Sequence, residues 1–181
     1  MLESIKRKLK NKIRGITSIE ELKDCGMQIG NNFWQGDGCS YDWSFPWLIT
    51  IGDNVTLSHG VDIIAHDASL QSVMGVTKLA RVVIGDNVFV GANTTILPGT
   101  VIGNGSIIGA GSMVKSVIPE NEVWAGCPAR RICSVAEYVS RQTVGVPFDA
   151  AGTMHKCDPS KADVKQAILE QIDKDGFTYI R

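Results

Sequence analysis

The sequence predicts an all-β core coiled into a parallel β-helix, with helical segments at both ends of the chain, and three observations carry that expectation. Between residues 84 and 119 the chain reads IGDNVF, VGANTT, ILPGTV, IGNGSI, IGAGSM, VKSVIP, and every block opens on an aliphatic residue: Ile84, Val90, Ile96, Ile102, Ile108, Val114. The second position is repeatedly glycine (Gly85, Gly91, Gly103, Gly109), and the fifth is small or β-branched (Val88, Thr94, Thr100, Ser106, Ser112, Ile118). Upstream, IGDNVT, LSHGVD and IIAHDA repeat the pattern from Ile51, Leu57 and Ile63. A period of six fits neither the 3.6 of a helix nor one long strand. It suits very short strands joined by tight turns, where glycine and asparagine tolerate positive φ. Coiling with the aliphatic side chains inward stacks the blocks into a ladder of Ile and Val.

Length and composition agree with one folded core carrying a modest appendage, since 181 residues are 44% hydrophobic and 20% charged. A formal charge of -1 offers no basic excess for nucleic-acid phosphates, so no nucleic-acid partner is expected. The five cysteines, Cys25, Cys39, Cys127, Cys133 and Cys157, show neither C-x-x-C spacing nor a Cys/His cluster suited to zinc, and read as cytosolic thiols with no metal site. The charged N-terminus lacks the apolar stretch of a signal peptide, and a cytoplasmic location is expected.

Along the chain, residues 1–26 form an N-terminal helical segment. Leu2, Ile5, Leu9 and Ile13 recur at helical spacing among Lys6, Arg7, Lys8, Lys10, Lys12 and Arg14. This basic amphipathic stretch packs on the core or on a neighbouring subunit; the alternative is weak peripheral contact of residues 1–14 with an acidic membrane surface. Thr17 or Ser18 ahead of Glu20 and Glu21 opens a second short helix ending near Gly26. The β-helix occupies residues 27–133 and is interrupted by a loop at 69–83, long enough to be functional. Residues 134–181 form a C-terminal helical extension, with Asp158-Pro159 opening a helix to about Asp175 and Val164, Ile168 and Ile172 as its apolar stripe.

The hexads resemble those of the hexapeptide-repeat acyltransferases, whose fold is a left-handed parallel β-helix with three hexads per triangular coil. That resemblance implies that Ile84 stacks with Ile102, Val90 with Ile108 and Ile96 with Val114. Ala125-Gly126-Cys127-Pro128-Ala129-Arg130 is similar to the A-G-x-P-A-[KR] segment that closes the helix in sugar O-acetyltransferases of the maltose, galactoside and polysaccharide type. The resemblance implies acetyl-CoA as acyl donor, a homotrimer with the cofactor groove between subunits, and cofactor contacts at Gly109, Ala110, Ser112, Gly126, Pro128, Ala129, Arg130 and Arg131. Lys115 is displaced by one position from the family's lysine, and Lys78 is a further cation in the long loop.

Acyl transfer from a thioester to a hydroxyl needs a base for the hydroxyl proton, and neutral histidine suits that task. His66, in I-I-A-H-D, ends a hexad directly before the long interruption and matches the place of the family's catalytic histidine. His59, in L-S-H-G-V, is the second candidate, and His155 lies in the unassigned tail. Asp67 is a candidate to orient His66, although neighbours on a strand usually point apart. Asp37 is the carboxylate candidate in the preceding coil. Trp34, Tyr41, Trp43, Phe45 and Trp47 cluster around the same stretch and could pack together or stack a glycan. The expected activity is acetyl-CoA-dependent O-acetyl transfer to a hydroxyl of a sugar, polysaccharide precursor or other glycoconjugate. The alternatives are a non-sugar acceptor (serine, an amino sugar nitrogen, an antibiotic) and a non-catalytic or carbonic-anhydrase-like protein of the same fold.

Overall fold

In the computed structural model, residues 18–142 and 162–175 are described, and the chain divides into two compact units, one ending at Tyr138 and the other beginning at Val139. The first unit is a three-sided left-handed parallel β-helix. Its first wall pairs Gln28–Ile29, Ile49–Ile51, Val82–Ile84, Val101–Ile102 and Val117–Ile118. The second pairs Trp34–Gln35, Thr56–Leu57, Phe89–Val90, Ile107–Ile108 and Glu122–Ala125, and Arg130–Ser134 adds antiparallel at its end. The third pairs Ser40–Tyr41, Asp62–Ile63, Thr95–Ile96 and Met113–Val114.

The stacking expected from the hexads is observed: Ile84 pairs with Ile102, Val90 with Ile108 and Ile96 with Val114. All six side chains are essentially fully buried. Each such side chain contributes about 1.5–3 kcal/mol relative to exposure. The core also holds Thr94, Thr100, Ser106 and Ser112 at fifth positions. Their hydroxyls donate to the carbonyls of Gly109 (3.2 Å), Leu97 (2.7 Å), Pro119 (2.8 Å) and Gly109 (2.5 Å), which offsets the cost of burying them.

The fourth position of each regular hexad turns the corner with positive φ. Asparagine takes it at Asn32, Asn54, Asn87, Asn93 and Asn121, and glycine at Gly38, Gly60, Gly99, Gly105 and Gly111. Along one corner Asn32 Nδ2 donates to Asn54 Oδ1 (3.0 Å) and Asn54 Nδ2 to Asn87 Oδ1 (3.1 Å), so the turn residues also link coil to coil.

One expectation is corrected by the register. Ile118 does not hold a fifth position: it pairs with Ile102 and continues the first-position column, because only four residues separate Val114 from it instead of six. The block beginning at Val114 is therefore two residues short. The hexad register, read from Ile51 onward, also extends into the coil below, with Ile29, Gln35 and Tyr41 stacked on Ile51, Leu57 and Ile63.

Every change of coil length falls at one corner, between the third wall and the first. There Tyr41 and Ile51 are ten residues apart, Ile63 and Ile84 twenty-one, Ile96 and Ile102 six, and Val114 and Ile118 four. The other two corners keep six residues in every coil. Variation confined to one edge of a rigid scaffold is where binding and chemistry are commonly placed.

Of the helices, Ile19–Asp24 follows Ser18 as N-cap, with a full capping box to Glu21. Its Leu22 is buried in the β-helix core. Val135–Ser140 begins with Val135 N–H donating to Asn121 O (2.8 Å), which ties the residues just past 133 to the last coil. In the second unit Ala162–Asp175 is a helix. The basic stretch 1–14, His155, the Asp158-Pro159 start and the Val164 side chain lie outside the described residues.

Candidate active site

His66 leaves the β-helix at the variable corner. His66–Asp67 pairs antiparallel with Lys78–Leu79, His66 opposite Leu79, so residues 66–79 form a hairpin rooted on the histidine itself, while Val82 and Val83, expected in the loop, pair in the first wall. Its tip carries a short helix, Gln71–Met74, closed by Gly75 at φ 70°.

The carboxylate that orients His66 is Asp42, which sequence reading missed. Its Oδ2 lies 2.5 Å from His66 Nδ1 and accepts the Ala65 N–H at 2.9 Å. Its Oδ1 accepts the N–H groups of Ser44 (3.1 Å) and Phe45 (3.3 Å). Asp42 is buried, and these donors replace the water it has lost. A carboxylate only accepts, so Nδ1 donates to Asp42, and in the neutral imidazole it is Nε2 that carries the lone pair. The His66 side chain is a third exposed, which leaves that lone pair approachable. The Phe45 ring meets the imidazole edge-on at 5.3 Å between centroids.

Asp67, the sequence candidate for this role, is exposed and turned to Ser69, whose N–H it accepts at 2.9 Å. That hydrogen bond holds its carboxyl below the ordinary range. Asp37 is exposed at another corner, where its carbonyl accepts the Gly60 N–H (3.0 Å). His59 is exposed at the same corner as Asp37. Neither is brought to His66 by a hydrogen bond of the described residues.

The residues implied for cofactor contact gather at that other corner, between the second and third walls. Gly109 and Ser112 are engaged between coils: Gly109 N–H donates to Trp124 O (2.8 Å), and Ser112 Oγ accepts the Gly126 N–H (3.1 Å). Ala129 is buried, with its N–H donating to Met113 O (2.9 Å), and Pro128 is half-buried beside it. What faces outward is Ala110, Gly111, Gly126 and Arg130. A side chain at Gly111 would meet open space, so that edge of the corner is bare backbone. Arg131 is engaged: its Nε donates to Glu122 Oε1 (2.7 Å), while Glu122 Oε2 accepts the Trp124 indole N–H (2.7 Å). Arg130 is exposed and its Nη1 donates to the Ala129 carbonyl (3.0 Å), while Lys78 and Lys115 are exposed elsewhere.

Among the described residues, four cysteines are free and no three His, Cys, Asp or Glu side chains gather as a metal site. No described helix is long and apolar enough to cross a membrane.

A family model for bacterial transferase hexapeptides (six repeats) matches residues 81–116, the regular coils that follow the hairpin. Protein CapG of Staphylococcus aureus is 36% identical over 130 residues, covering 68% of this chain and 75% of its own. The chain belongs to the hexapeptide-repeat transferase family. Among solved structures it is similar to a hexapeptide-repeat acetyltransferase of Vibrio cholerae complexed with acetyl coenzyme A (27% identity, TM-score 0.55, 60% of each chain covered). It is also similar to a galactoside acetyltransferase in complex with coenzyme A (27% identity, TM-score 0.56, 70% of this chain and 74% of that one). The match thus spans 60% of the length of the Vibrio protein and about three quarters of the other two.

Proposed function

We infer that the protein is an acetyl-CoA-dependent O-acetyltransferase acting on a hydroxyl of a sugar or polysaccharide precursor. The observation that carries the reading is the Asp42–His66 pair, a partly exposed imidazole with Nδ1 held by a buried carboxylate and Nε2 left for a substrate. The acceptor hydroxyl gives its proton to His66 Nε2 as its oxygen attacks the thioester carbonyl carbon. The tetrahedral intermediate then collapses, the C–S bond breaks, and the departing thiolate takes the proton back from Nε2. Asp42 keeps the ring in the correct tautomer and stabilises the imidazolium that forms between the two steps.

The donor lies along the bare backbone of Ala110 and Gly111, with its phosphates toward Arg130. This corner and His66 stand at opposite ends of the third wall, so one chain does not bring base and thioester together at either corner. A second chain laid against that wall does, which supports a homotrimer with the site between subunits. The similarity to a galactoside acetyltransferase favours a sugar acceptor.

The test is release of coenzyme A thiol from acetyl-CoA, measured against a panel of mono- and oligosaccharides, nucleotide sugars, serine and amino sugars. Turnover with sugars upholds the reading. Turnover with serine alone, or binding of acetyl-CoA without transfer to any hydroxyl, refutes it.

A further inference from the structure

The first coil carries four more residues than a regular one at the corner that holds His66, and these supply Trp43, Phe45, Pro46 and Trp47. The core does not use the two indoles: Trp43 is 74% exposed and Trp47 57%. Single exposed aromatics need no explanation, but two indoles on one short segment beside a catalytic histidine do.

The segment is also rigid. Asp42 accepts the N–H groups of Ser44 and Phe45, Leu48 N–H closes a 3-10 turn on Phe45 O (3.0 Å), and Pro46 is buried beneath it. The stem of Trp47 rests on the Gly26 turn, where an added methyl group would lie 3.0 Å from Trp47 Cβ. The rings are thus presented on a fixed base, at low entropic cost for a ligand that uses them. They also form a path. Phe45 meets His66 at 5.3 Å and Trp47 meets Phe45 at 5.7 Å, both edge to face.

The geometry points to Trp47, assisted by Trp43, as a subsite for the sugar next to the one being acetylated, so that the enzyme selects an extended glycan over a free monosaccharide. The inference rests on the acetyl-transfer reading above. A pyranose offers an apolar C–H face to an aromatic ring and a rim of hydroxyls to solvent, which matches rings that are exposed and rigidly based. Phe45 lies beside the ring whose hydroxyl reaches Nε2. Trp47, one aromatic step further out, is beyond that ring and within reach of the next.

The experiment compares one sugar that scores in the acceptor panel, supplied as monosaccharide and as its di- and trisaccharide, with wild type, Trp47→Ala and Trp43→Ala. Wild type is expected to use the trisaccharide with the higher kcat/KM. Trp47→Ala should raise KM for the trisaccharide about three- to tenfold, the range of an aromatic stacking contact, with KM for the monosaccharide and for acetyl-CoA unchanged. Trp43→Ala should act in the same direction and more weakly. An equal effect on all acceptor lengths, or none, overturns the inference. So does a change of assembly state in Trp47→Ala by mass measurement, which would assign the rings to a second copy of the chain. If wild type acetylates no sugar of any length, the parent reading falls with it, a result distinct from a wild type that is active but blind to Trp47.

Discussion

Asp42 and His66 stand 24 residues apart in the sequence and 2.5 Å apart in space, joined because the corner of one coil lies under the corner of the next. Asp42 donates its own N–H to Ile63 O (2.8 Å), so its place is set by the parallel register of the third wall. All four partners of its carboxylate are donors, and an amide in its place would turn its N–H groups toward some of them. Asp42→Asn should therefore lower stability by about 1–3 kcal/mol, the cost of leaving buried groups unpaired. It should also lower kcat and alter the acid limb of the pH–rate profile. Altered stability with an unchanged profile and kcat would make Asp42 purely structural.

The corner asparagines predict a backbone effect. Asn54 sits at φ 55° and takes part in the ladder between Asn32 and Asn87. Asn54→Ala should cost about 1–2 kcal/mol from the left-handed conformation alone, while Asn54→Gly should cost less. Urea unfolding at fixed protein concentration separates them, and equal midpoints for the two variants would contradict the account.

Glu122 predicts a pH effect. Its carboxyl is held below the ordinary range, first by the hydrogen bond from Arg131 and then by that from Trp124. A depressed folded value means that the stabilisation is present above the unfolded value and is lost as pH falls through the folded one. Glu122→Gln should flatten the acid limb of the stability curve by lowering neutral stability while leaving acid stability unchanged, and the loss should be small because the Arg131 side chain is half exposed. Thermal melts across acid pH check this.

Acetyl-CoA should raise the melting temperature by mass action, with about 2.7 kcal/mol of added stability when the ligand stands at 100 times its dissociation constant. Arg130→Ala should weaken that shift and Arg131→Ala should weaken it less, since Arg131 is engaged by Glu122. The reverse order would place the phosphates on Arg131.

The coils between Ile84 and Val114 were legible because an aliphatic residue recurs every six positions and inward packing admits few alternatives. The first coil fell within the expected β-helix, but its register escaped because its columns hold Gln35 and Tyr41, which no hydrophobic pattern selects. They are tolerated inside because the Tyr41 hydroxyl donates to Gln35 Oε1, and burial pushes the Tyr41 phenol well above its ordinary range. Asp42 escaped for a related reason. Its link to His66 depends on a coil whose register was not read, whereas Asp67 was adjacent in sequence and, as neighbours on a strand do, turned away. With Tyr41 recognised as a hexad opening, Asp42 falls beneath Ile64, two residues before His66, which is the signal that would have found it. The hairpin was legible as an interruption, but its antiparallel return onto His66 was not, because Lys78–Leu79 carries no periodicity of its own.

The central claim is that His66 is the base and that His59, exposed at the other corner, is not. Steady-state kinetics of His66→Ala and His59→Ala, with acetyl-CoA binding measured in parallel, test it most directly. The account predicts a loss of about 100- to 10,000-fold in kcat for His66→Ala, with acetyl-CoA affinity and assembly retained, and a small effect for His59→Ala. Near-normal turnover in His66→Ala, with loss of activity in His59→Ala, would contradict it and move the chemistry to the corner that holds Asp37.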